Sequence, residues 1–217
     1  ASTGAEVFAF MPKGAMAGLI GVNGFTSPDY QHRYFVDGDL TVADVFQGGS
    51  WKTILVGTLG RGGRSIFALD VTDPAAPALL WEKDATDIPE LGNNLNKPII
   101  AQVADGDWRV LLGNGPNSSN DHAQLISVAV GTGNTTTIDT GVGGDNGLSG
   151  INAWASSSSG FVDTVYAGDL KGNVWKMTGI DTTGVADLLF DAGTSQPITA
   201  TPLVSKNPAT GDTWVFI

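Results

Sequence analysis

Apolar and polar positions alternate along this chain in short runs, and the runs recur. Ile54-Leu55-Val56-Gly57, Val110-Leu111-Leu112-Gly113 and Thr164-Val165-Tyr166-Ala167-Gly168 resemble one another. Their glycines lie 56 and 55 residues apart (57 to 113, 113 to 168). After each run comes a Gly- or Ser-rich turn and a second apolar run: Ile66 to Val71, Leu125 to Val130, Val174 to Met177. Runs of four to eight residues with period-2 patterning read as strands. A strand–turn–strand unit repeating at roughly 50 residues predicts an array of propeller blades.

Strands can be placed from this pattern. Ala5 to Phe10 alternates and is closed by Pro12, which predicts a strand; Pro12 to Leu19 has room for one short helical turn between glycines. The first full blade takes Leu40 to Phe46, Trp51 to Leu59, Ser65 to Val71 and Ala78 to Lys83. The second takes Pro98 to Val103, Trp108 to Gly113, Gln124 to Val130 and Thr135 to Thr140. The third takes Gly150 to Ala155, Asp163 to Ala167, Asn173 to Met177 and Ala186 to Phe190. A fourth begins at Pro197 to Val204. The predicted fold is all-β: a β-propeller of four-stranded antiparallel blades over 32–84, 97–141 and 148–191, partial from 197. It is a partial ring with incomplete blades at both ends. Propellers close with four to eight blades, and Thr213 to Ile217 reads as a strand just begun. The expectation is therefore one fragment, 1–217, of a longer propeller, marginally stable or self-associating by itself.

Composition agrees with that pattern. Glycine is 30 of 217 residues and charged residues are 15%, which suits many turns and few helical faces; 41% hydrophobic residues exclude a disordered chain. Eleven basic against 22 acidic residues give a net charge of −11. Such a surface repels phosphate backbones, so no nucleic acid is expected as a partner. Cysteine is absent, which excludes a disulfide scaffold, a thiol nucleophile and cysteine zinc sites. Ala1-Ser2-Thr3-Gly4 has neither the basic start nor the apolar core of a signal peptide.

Candidate chemistry is sparse. His32 and His122 are the two histidines, and neither stands in a pattern that predicts a base beside a nucleophile. Asp37, Asp39, Asp44, Asp105 and Asp107 read as turn formers beside glycines, not as a metal set. Gly60-Arg61-Gly62-Gly63 lacks the Lys-Ser/Thr of a phosphate loop and reads as a hairpin turn. Trp51, Trp108, Trp175 and Trp214 fall inside strands and are expected in the packing between blades. Trp81 and Trp154 lie nearer strand edges and are the candidate surface-contact residues. No catalytic, cofactor-binding or metal residue is expected.

From His32-Arg33-Tyr34-Phe35-Val36-Asp37-Gly38 onward the chain resembles a known family. The resemblance continues through Thr41 to Phe46, Trp51 to Gly57 and Ala68-Leu69-Asp70-Val71-Thr72-Asp73-Pro74. It goes on through Gly113-Asn114-Gly115, Asp139-Thr140-Gly141 and Tyr166-Ala167-Gly168-Asp169-Leu170 with Gly172-Asn173-Val174-Trp175. These pieces, in this order, resemble the C-terminal propeller of the PilC/PilY family of type IV pilus tip-associated proteins. The resemblance implies an exported, extracellular protein at the pilus tip or outer membrane. It implies a non-enzymatic role in pilus assembly, in control of retraction and in adhesion. The implied partners are the remaining blades and N-terminal region of the parent, pilin or minor pilins, and a host or abiotic surface. It also implies a calcium loop of the kind D-x-D-x-D-G-x-x-D before the tyrosine-containing strand. Here Ala155 to Asp163 matches it only at Gly160 and Asp163, so no tight calcium site is expected. Pro116 is a second departure, since the family tends to an aromatic residue after Gly-Asn-Gly. The rival reading is a quinoprotein-like propeller enzyme of the pyrroloquinoline-quinone dehydrogenase class. Ile66 to Val71 followed by Trp81 resembles that class's blade motif, but no cluster of Arg, Lys, His and Asp suited to the quinone is present.

Overall fold

The computed structural model describes residues 4–19, 23–103 and 106–217. Fourteen strands form three four-stranded antiparallel sheets and one two-stranded sheet, each in sequence order. The first sheet is β1 (Leu40–Gln47), β2 (Ser50–Thr58), β3 (Ser65–Asp70) and β4 (Ala78–Asp84). The second is β5 (Ile99–Gln102), β6 (Trp108–Gly113), β7 (Gln124–Ala129) and β8 (Thr135–Asp139). The third is β9 (Leu148–Trp154), β10 (Thr164–Asp169), β11 (Asn173–Thr178) and β12 (Val185–Asp191). The last is β13 (Leu203–Lys206) with β14 (Thr213–Phe216). Each full sheet is an up-and-down meander closed by short turns, the form of a propeller blade. The described helical residues are α1 (Lys13–Leu19) and a single 3-10 turn at Gly60–Gly62. No helix among the described residues is long and apolar enough to cross a membrane.

The core lies between blades, because each sheet is apolar on both faces. Val45, Ile54, Val56, Ile66, Ala68 and Trp81 of the first blade pack on Val110, Leu112, Ile126 and Val128 of the second. Ile88 and Leu91, from the connection between them, complete that layer. The opposite face of the second blade sets Leu111, Leu125 and Ile138 against Leu148, Val165, Trp175 and Met177 of the third. This explains the unbroken apolar runs of the middle strands: β7 and β10 are buried at every position.

The recurring glycines mark where one blade crosses the next. A Cβ on Gly113 would stand 2.2 Å from the Ser149 carbonyl oxygen, and one on Gly168 would stand 2.2 Å from Ile198 Cγ2. Both positions admit only hydrogen so that the lead-in to the next blade can pass.

Two predicted strands are corrected. Residues 5–10 form no strand. No neighbouring chain offers them a ladder, and they lie along the first blade, with Phe10 against Phe67 at 5.0 Å between ring centroids. Pro197 to Val204 is irregular up to Leu203, because Pro197 and Pro202 have no N–H to give a ladder. The stack is open at both sides. Leu40, Val42 and Phe46 on β1, with Trp51 on β2, form one exposed apolar face; Leu203, Trp214 and Phe216 form the other.

Candidate interaction surface and its supports

A blade scaffold acts through the loops it holds at its rims, so what fixes those loops comes first. Each recurring glycine is followed by a buried polar residue: Thr58, Asn114 and Asp169, all 1% exposed or less. Each ties its own blade to the approach to the next. Thr58 Oγ1 donates to the Asn94 carbonyl at 3.3 Å. Asn114 Oδ1 accepts the backbone N–H groups of Gln124 (3.0 Å) and Leu148 (2.9 Å). Its amide donates to the carbonyls of His122 (2.8 Å) and Glu90 (3.1 Å). All four of its hydrogen-bonding positions are filled, as burial requires.

Asp169 holds the equivalent place in the third blade. Its Oδ1 accepts the N–H of Lys171 (2.8 Å) and of Asn173 (2.9 Å). Its Oδ2 accepts Trp175 Nε1 (2.9 Å), Asn173 Nδ2 (2.9 Å) and Asn146 Nδ2 (3.2 Å). Asn146 in turn takes the N–H groups of Gly147 and Leu170 on its Oδ1. These latch residues were not singled out as a set from the sequence. The signal was there, as the polar residue that follows each repeated glycine.

The loops themselves differ in build. The longest connection within a blade, between β6 and β7, runs Asn114 to Ala123. Asn117 and Asp121 hold it in the left-handed region at φ 66° and 55°. Arg64, from the turn before β3, donates to the Asn117 carbonyl at 2.9 Å, and Asn117 Nδ2 donates to Asn93 Oδ1 at 3.0 Å. Between β9 and β10, Asp163 accepts Ser156 Oγ at 2.5 Å, Ser156 N at 3.1 Å and Thr164 Oγ1 at 2.8 Å. Partial burial of Asp163 works against its charge most strongly, but those hydrogen bonds together outweigh it and hold its carboxyl below the ordinary value. Burial, followed by the nearby Asp163 charge, raises the Tyr166 phenol.

The sequence candidates are distributed over the molecule. Trp81 is not a surface residue. It is 8% exposed, and its Nε1 donates to the Val130 carbonyl at 2.9 Å, bolting the first blade to the second. Trp154 is half-buried at the end of β9, and its indole nitrogen has no hydrogen-bond partner. Trp175 is buried as expected and Trp108 partly so, but Trp51 and Trp214 are 64% and 51% exposed. They were expected in the packing, and they stand out because no described sheet covers their faces. Trp51 is stacked edge-on to Phe46 at 5.6 Å, and Trp214 to Phe216 at 6.0 Å.

His32 lies edge-on to Tyr34, while His122 Nδ1 meets Asp139 at 3.0 Å, far from His32 in sequence and with no hydroxyl nucleophile bonded to it. Asp44 accepts Thr53 Oγ1 at 2.7 Å, and Asp107 accepts the N–H of Trp108. Asp37 and Asp39 are exposed before β1; Asp105 lies outside the described residues. The Gly60–Gly62 turn has positive φ at Gly60 alone, and Arg61 sits over the Tyr34 ring at 5.3 Å. Among the described residues, no three His, Asp or Glu side chains gather as a metal set.

Comparison with known proteins agrees with this architecture. The family model of the PilY1 beta-propeller domain matches residues 20–188. A type IV pilus biogenesis factor PilY1 homolog of Xylella fastidiosa is 50% identical over 220 aligned residues, covering 100% of this chain and 18% of its own length. The type IV pilus biogenesis factor PilY1 of Pseudomonas aeruginosa strain UCBPP-PA14 is 37% identical, covering 99% of this chain and again 18% of its own. The crystal structure of the Pseudomonas aeruginosa PilY1 C-terminal domain superposes with a TM-score of 0.80 at 34% identity. It covers 99% of this chain and 48% of that domain. The chain thus spans about a fifth of the curated relatives and about half of the solved domain. On the family model and on identity across its whole length, the chain belongs to the PilY1 β-propeller family.

Proposed function

We propose that this chain serves type IV pilus biogenesis as a non-enzymatic interaction module. Its blades form a rigid frame, and the loops at their rims meet pilin or minor pilins. The observation that carries the reading is the 50% identity, over the whole chain, to a protein named as a pilus biogenesis factor. The latched construction supports it: buried Asn114 and Asp169 immobilise the loop bases, as a surface that must present a fixed shape requires. The same reading places the chain outside the cell, at the pilus tip or outer membrane. There it contributes to attachment and to control of retraction. Its neighbours in the assembled protein are further blades and an N-terminal region.

A chimera tests this. The matching segment of a pilus-bearing bacterium's own PilY1 is exchanged for this chain, and surface pilin and twitching zones are measured. Restored piliation is expected. Loss of piliation with a stable, exported chimera would overturn the reading. A bound quinone chromophore in the purified protein would overturn its non-enzymatic part.

A further inference from the structure

The resemblance implies a calcium loop at residues 155–163, and the donor set of this chain does not fit that ion. Calcium takes six to eight oxygens, several of them anionic. Residues 155–163 hold one carboxylate, Asp163, amid four consecutive serines. The oxygens present are already engaged with one another. Asp163 Oδ1 accepts Ser156 N and Thr164 Oγ1, and Oδ2 accepts Ser156 Oγ at 2.5 Å. The hydroxyls of Ser157 and Ser159 are 2.8 Å apart and bonded, and Phe161 N caps Ser159 Oγ at 3.2 Å. The outward-facing Ser156 carbonyl accepts Lys206 Nζ at 3.3 Å, so β13 of the next sheet already brings a cation to the loop. A dication entering here would break the Ser156–Asp163 pair, meet a lysine, and gain a single carboxylate in exchange.

We infer that the β9–β10 loop is closed by a metal-independent clasp in which Ser156 and Asp163 take the place of a bound divalent ion. Ser156 supplies two donors from one residue, its N–H and its hydroxyl, and so grips both carboxylate oxygens seven residues on. That bidentate grip sets the span of the loop in the way a shared ion would. The Lys206 contact then ties the loop to the following sheet. The shape of this rim is accordingly insensitive to divalent ions and to chelators.

The test is thermal unfolding of the full chain in excess chelator and in millimolar calcium chloride, with calorimetric titration of calcium. An unchanged melting temperature and no binding in the micromolar range are expected. Ser156→Ala lowers the melting temperature by about 2–4 °C, the shift of one lost hydrogen bond in a protein of this size, equally with and without calcium. Ser157→Asp with Ser159→Asp, which restores carboxylates, makes the melt rise with calcium. Micromolar calcium binding that disappears on Asp163→Ala would overturn the inference, and so would a Ser156→Ala melt equal to that of the unaltered chain. A carboxylate-restored variant that still ignores calcium would overturn the donor-count explanation.

Discussion

At the scale of single residues, the buried polar latches carry more than their number suggests. Asp169 is fully buried and accepts five hydrogen bonds, two on one oxygen and three on the other. Asp169→Asn keeps the shape but turns an NH2 group toward N–H donors whichever way the amide lies. It is expected to cost about 2–4 kcal/mol, since each buried donor left unpaired costs about 1–3 kcal/mol. Urea unfolding of the two proteins measures it, and a change below about 0.5 kcal/mol, the scatter of ordinary surface substitutions, would refute the latch. Trp81 offers a second case. Trp81→Phe keeps most of the ring and loses only the bond to the Val130 carbonyl, for an expected cost of about 1–2 kcal/mol. Trp81→Ala also empties the layer between two blades and should cost about 3–5 kcal/mol. Equal costs for the two would mean that the hydrogen bond, and not the packing, holds the blades.

At the scale of elements, strand ends and glycine crossings decide. Asp70 ends β3, where the Thr72 hydroxyl is the largest influence lowering its carboxyl pKa; the Thr72 N–H and Lys52, at 3.1 Å, add to it. Asp84 ends β4 and is lowered chiefly by the Thr86 N–H at 2.7 Å. Both folded values lie below the value of a free aspartate, about 3.9. Their contribution is therefore complete above the unfolded pKa and is lost as pH falls through the folded one. The urea midpoint should be level from pH 7 to about 5 and should fall below about pH 4; Thr72→Val should flatten that fall. The glycines make a sharper case. Gly113→Ala drives a Cβ into the Ser149 backbone of the next blade, whereas at Gly63 the nearest atom to a Cβ is Leu59 Cδ1 at 3.4 Å, in extended backbone. Expression and melting should show Gly113→Ala strongly destabilised and Gly63→Ala close to neutral. Similar melts for both would remove the crossing argument.

At the scale of the whole molecule, two apolar faces stand uncovered. Leu40, Val42, Phe46 and Trp51 are each more than half exposed, and on the far side Leu203 and Trp214 are too. Next to the second face, a hollow of about 390 Å³ is lined by Val174, Leu189, Phe190, Val215 and Ile217. Exposed apolar patches and strand edges promote association, and a net charge of −11 opposes it without covering either face. The chain by itself is expected to self-associate. Sedimentation velocity at increasing concentration should show species above the monomer, reduced by Phe46→Ser together with Trp51→Ser. A monomer at every concentration would show that these faces do not stick.

The sequence alone determined the blade array, because a β-strand writes its period directly into the order of apolar residues. Middle strands such as β6 and β10 are buried on both sides, so their apolar runs and following glycines were legible at 55-residue spacing. The serine substitutions in 155–163 were legible for the same reason: donor chemistry is a property of residue type. Tertiary structure alone decided which residues face which. Trp81 and Trp51 sit in similar runs, yet one is bolted to Val130 and the other stands in solvent, because burial depends on whether a second blade lies opposite. Phe10 and its neighbours alternate like a strand, but a strand exists only where another backbone completes the ladder. The latches at Thr58, Asn114 and Asp169 are likewise invisible as a set until the folded chain brings the next blade's backbone within hydrogen-bonding distance.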